Sequence, residues 1–134
     1  MKTAMVAIGF LAAAAGAEGA TAVECPSTLK ITSSVQVPVG WEQVSQGLES
    51  ILVGVSVYDG HPSQEANLAP RNLPSKGGFE VAQWGVGDGS WLLCHYSGTY
   101  VTLAKPIPKD FKSCKAYYKH RKYGLGPFAK FECE

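Results

Sequence analysis

Trp91-Leu92-Leu93-Cys94-His95-Tyr96, then Ser97-Gly98, then Thr99-Tyr100-Val101-Thr102-Leu103 is the stretch on which the fold turns. Aromatic and β-branched residues flank a short Ser-Gly turn, which predicts a β-hairpin. On its second arm Thr99, Val101 and Leu103 share one face, with Tyr100 and Thr102 on the other. Upstream, Ile51-Leu52-Val53-Gly54-Val55-Ser56-Val57-Tyr58 is the strongest single strand. Asp59-Gly60-His61-Pro62 stops it with turn chemistry. Gly54, in the middle, predicts a bulge or a close packing neighbour.

Residues 29–37, 79–84 and 114–119 read as further strands, the first ended by Pro38 and Gly40. Residues 41–50 lack a clean period and allow at most one short helical turn. Residues 62–78 carry Pro62, Pro70, Pro74, Gly77 and Gly78 and read as a long connection, the kind that is usually functional. Gly85-Val86-Gly87-Asp88-Gly89 lacks the following helix and the Lys-Ser/Thr ending of a phosphate cradle, so it reads as a hairpin turn. The tail, residues 124–134, is expected to be held by Cys133. The expected fold is mainly β: about six antiparallel strands in a compact sheet, sandwich or partial barrel. Trp91 and Trp41 are expected in its core. Tyr117 and Tyr118 are adjacent, so one faces in and the other out.

The first 22 residues have the pattern of a secretory signal peptide: Lys2, an apolar run from Ala4 to Ala15, and Ala20-Thr21-Ala22 as the cleavage step. The run is well short of the ~20 residues that span a bilayer. Glu24 stands where acylation sites want a small residue, so Cys25 is not read as a lipid anchor. Residues 23–134 then form a single β-rich domain exported to the periplasm.

All four cysteines, Cys25, Cys94, Cys114 and Cys133, follow the expected cut. An even number in an exported chain predicts two disulfides. Three connectivities are open; the preferred one joins Cys94 to Cys114, closing a strand pair, and Cys25 to Cys133, tying the termini. No C-x-x-C pair occurs and His61, His95 and His120 are scattered, so no metal or other cofactor is expected.

The net charge of +1 conceals an asymmetry. Residues 24–88 hold seven acids and three bases; residues 105–130 hold eight bases and one acid, Asp110. Such a tail suits an acidic partner or anionic headgroups, while export argues against nucleic acid. The plainer reading is a solvated edge whose lysines discourage sheet-to-sheet pairing.

No catalytic residue is assigned. His95 adjoins a cysteine expected to be oxidised, His61 sits in a turn, and His120 lies among Lys and Arg. Neither a G-x-S-x-G elbow nor an H-E-x-x-H helix is present. The acids stand singly and near turns. A binder is therefore preferred to an enzyme, with Asp59, His61, Tyr118, Lys119, Arg121 and Lys122 as candidate partner contacts.

Cys25-Pro26, Pro38-x-Gly40-Trp41, Val57-Tyr58-Asp59-Gly60-x-Pro62, Leu68-Ala69-Pro70 and Trp91-Leu92-x-Cys94-x-Tyr96, with Thr99, Leu103 and the later Cys114, follow one another in a familiar order. This order resembles a family of small exported proteins of Gram-negative bacteria, largely without assigned activities, some encoded in type VI secretion islands. The resemblance spans nearly all of residues 23–134 and is most specific at W-L-x-C-x-Y. It implies a periplasmic accessory or immunity-type protein that binds and blocks a toxin or cell-wall enzyme. The alternative is an envelope-surface or anionic-ligand binder working through the basic C-terminal strand. A wall hydrolase ranks last.

Overall fold

Alternating apolar and polar side chains build eight strands among the residues that the computed structural model describes, 23–32, 34, 36–44 and 47–134. The signal-like segment, residues 1–22, lies outside them. In chain order the strands are β1 (Thr28–Thr32), β2 (Gly47–Asp59), β3 (Arg71–Lys76), β4 (Phe79–Gly85), β5 (Ser90–Tyr96), β6 (Thr102–Pro106), β7 (Ser113–Lys119) and β8 (Phe128–Cys133). One 3₁₀ turn, Pro62–Gln64, is capped by His61. The strands form two four-stranded antiparallel sheets, ordered β1-β2-β5-β6 and β3-β4-β7-β8.

The two sheets share one core. Val55 and Val57 of β2 and Leu92, Cys94 and Tyr96 of β5 meet Trp84 of β4, Cys114, Ala116 and Tyr118 of β7, and Phe131 of β8. Period-2 alternation places these side chains inward, most cleanly along β5 and β7. Complete burial of an aliphatic residue such as Val57 or Leu92 contributes about 1.5–3 kcal/mol. The polar tips of the core aromatics are satisfied. Tyr96 Oη donates to Pro26 O at 2.8 Å, and Trp84 Nε1 donates to Leu68 O at 3.0 Å.

Gly54 meets both expectations placed on it. The β2–β5 register slips between Leu52 and Gly54, and a Cβ on Gly54 would stand 3.3 Å from Tyr118 Oη. Beyond that bulge the other edge of β2 turns to the second sheet, where Tyr118 Oη accepts from Val55 N at 3.5 Å.

Several expectations need correction. Residues 62–78 are not structureless, because β3 runs through Pro74. It is an edge strand, where a missing N–H costs no ladder bond. Lys76 pairs with Phe79 across Gly77-Gly78, both at positive φ, so the true two-residue hairpin is here. Residues 85–89 do not make a hairpin: β4 pairs with β3 and β7, β5 pairs with β2 and β6, and the glycine run carries the chain between sheets. The hairpin after Tyr96 exists, but its second arm starts at Thr102, leaving Tyr100 fully exposed in the loop. The tail contributes a strand of its own, β8.

The cysteines pair differently from the preferred connectivity. Cys25 bonds Cys94, and Cys114 bonds Cys133. Cys94 and Cys114 lie on different sheets, whereas Cys114 and Cys133 sit opposite each other in the β7–β8 register with Cα atoms 4.0 Å apart.

Candidate partner-binding surface

Phe79, Val81 and Gln83 of β4, Lys115, Tyr117 and Lys119 of β7, and Lys130 and Glu132 of β8 share the outer face of the second sheet by register. Tyr117 is its centre. Its hydroxyl donates to Glu132 Oε1 at 2.6 Å, Lys130 Nζ lies 4.4 Å above its ring, and Phe79 meets it edge-on. Val81 is buried on this same side, opposite Leu73 and Tyr117. The hydrogen bond to the Glu132 carboxylate, with burial next in importance, pushes the Tyr117 phenol up to about 12. Glu132 is held below the usual carboxylate range, first by Tyr117 and then by Lys130. Lys115, at 2.9 Å, does the same for Glu134.

The basic residues singled out from the sequence follow directly from β7. Lys119, Arg121 and Lys122 are exposed, and no ion pair among the described residues engages them. The turn that carries them is pinned by Lys119 N donating to Pro127 O and His120 N donating to Gly78 O. His120 faces the Glu80 carboxylate at 3.3 Å. Tyr118 does not belong with them. It is buried, its hydroxyl turned to β2, and Tyr117 is the tyrosine that faces out.

Asp59 and His61 sit elsewhere. Asp59 pairs with Ser90 at the end where the chain crosses between sheets, and Lys119 pairs with Phe79 at the far end of β4. A seven-residue strand separates the two groups, about 20 Å at ~3.3 Å per residue. They do not form one site. His61 Nδ1 accepts from Ser63 N at 3.2 Å and its ring meets Trp91 edge-on at 4.6 Å, so it caps a turn.

One further pair has chemical interest. Ser56 Oγ lies 2.8 Å from His95 Nε2 across β2 and β5, and burial lowers the His95 pKa. No carboxylate hydrogen-bonds this imidazole among the described residues, so the orienting member of a triad is missing. Nor does any group of three or more His, Cys, Asp or Glu among them offer a metal site.

Residues 46–134 match the family described as Type VI secretion system Tli immunity protein. This chain belongs to that family. The chain is also 26% identical over 125 residues to an uncharacterised 16.3 kDa protein in the trpG 5′ region of Azospirillum brasilense, covering 86% of this chain and 83% of the relative. No solved structure matches it.

The chain also presents a surface that sequence reasoning missed. Trp41, expected in the core, is 76% exposed on the connection between β1 and β2. Val39 and Val44 of that connection are exposed as well. The Pro38-x-Gly40 turn signal just before Trp41 could have placed it on a loop. The structure closes that turn, with Trp41 N donating to Pro38 O at 3.1 Å and Gly40 at φ +87°. No helix among the described residues is long and apolar enough to cross a membrane.

Proposed function

We propose that this protein is a periplasmic immunity protein that binds and neutralises a toxin delivered by type VI secretion. The observation that carries the reading is the family match over residues 46–134. Two disulfides support an oxidising compartment, as does the signal-like reading of residues 1–22. A stapled double sheet also suits inhibition by binding, because a preorganised surface loses little freedom on association. The test is calorimetry of oxidised residues 23–134 against purified type VI effectors of the same genome. A one-to-one complex with Kd of ~1 μM or tighter is expected, within the span that standard-size interfaces cover. Absence of binding would overturn the reading.

A second reading rests on the unpaired Lys119, Arg121 and Lys122: attachment to an anionic envelope surface. It requires binding to phosphatidylglycerol vesicles that weakens steeply with salt and is lost when all three become Ala. Salt-independent binding, or none, removes it.

A further inference from the structure

Among the described residues, seven of the eleven large exposed apolar side chains, Val37, Val39, Trp41, Val44, Leu48, Ile51 and Val53, fall in one arm made of the β1–β2 connection and the first half of β2; Tyr100, Val101, Tyr123 and Leu125 lie elsewhere. On that half of β2 Leu48 is 47% exposed, although Ser50, of the same parity, is sealed as Val57 is further along. A tryptophan set among smaller apolar residues on a closed turn has the make-up of an interface anchor. The described residues 36–44, which carry Val37, Val39, Trp41 and Val44, belong to no strand or helix.

We infer that this arm is the element the protein inserts into its toxin, with Trp41 filling an apolar pocket whose rim is positively charged. The inference rests on the immunity reading and assigns its contact surface. Charge selects the occupant. Residues 33–46 contain no Lys, Arg or His and one acid, Glu42. Elements that lie on anionic bilayers carry cations on their polar side, and this one has none. A protein partner with a basic rim complements Glu42, the one charged residue of 33–46. In the β1–β2 register Glu49 stands opposite Lys30.

The experiment measures affinity of purified type VI effectors of the same genome for four forms of the oxidised protein: parent, Trp41→Ser, Val39→Ser and Tyr100→Ser. Trp41→Ser should weaken binding by ~30-fold or more, the mark of an anchor residue. Val39→Ser should weaken it less, and Tyr100→Ser, an exposed aromatic off the arm, should leave it unchanged. Because all three side chains are exposed, thermal midpoints should match the parent and report that each variant is folded. Parent-like affinity of Trp41→Ser overturns the inference and leaves the immunity reading standing; failure of the parent to bind removes both. A Trp41-dependent dimer in sedimentation, or Trp41-dependent binding to vesicles, would also overturn it.

Discussion

Gly54 has to serve two neighbours at once. It ends the register slip that separates the open half of β2 from its buried half, and it leaves room for the Tyr118 hydroxyl that reaches Val55 N. Gly54→Val should cost about 1–3 kcal/mol in chemical denaturation, because the branched side chain would push into the Tyr118 ring edge. Titrating groups give independent checks. His95 has a folded pKa below 6.5, so the unfolded chain takes up the proton more readily. Its contribution to stability is present above pH 6.5 and lost as pH falls through the folded value. The slope of stability against pH just below 6.5 should therefore flatten in His95→Gln. Tyr117 works in the other direction. Its phenol, at about 12 when folded and 10.0 in the unfolded chain, contributes stability that is full below 10.0 and lost on the way to about 12. Glu132→Gln should return its phenolate absorbance titration toward 10.0. At this scale the sequence was partly legible. Gly54 announced itself inside a β-branched run. Tyr118 and Trp41 did not, because alternation says that neighbours face opposite ways without saying which face another sheet will cover.

Strands were legible where packing on both sides enforces a period. β2, β5 and β7 supply most of the inward core positions, and their aromatic and β-branched content marks them in the sequence. β3 was hidden by its prolines, although the Gly77-Gly78 hairpin signal stood directly after it. β8 was hidden among charges that belong to an outer face. Cysteine pairing depends on strand neighbours, so an error in sheet assignment became an error in connectivity. The observed pairing predicts distinct penalties. Cys25–Cys94 spans 69 residues and Cys114–Cys133 spans 19. By loop-closure entropy the paired Cys→Ser variants should lose about 4 and about 3 kcal/mol respectively, the long loop costing more. Peptide mapping without reductant should recover Cys25 linked to Cys94 and Cys114 linked to Cys133. A Cys94–Cys114 peptide would show the two sheets assembled differently.

At the scale of the whole molecule, the class of fold and the presence of two disulfides could be read before any coordinates. The contact surface could not. Asp59 and His61 fell at the opposite end of β4 from Lys119, and only the structure showed that the apolar side chains between residues 37 and 53 include seven large ones left exposed. The family match and the two disulfides are the facts on which the proposed role rests. The most direct measurement is competition between sibling cells on a surface, using a prey strain that lacks this gene. Attackers with an active type VI apparatus should kill that strain, and supplying this protein with its export segment should restore parental survival. Equal survival with and without the protein, under attack that kills other prey, would contradict an immunity function.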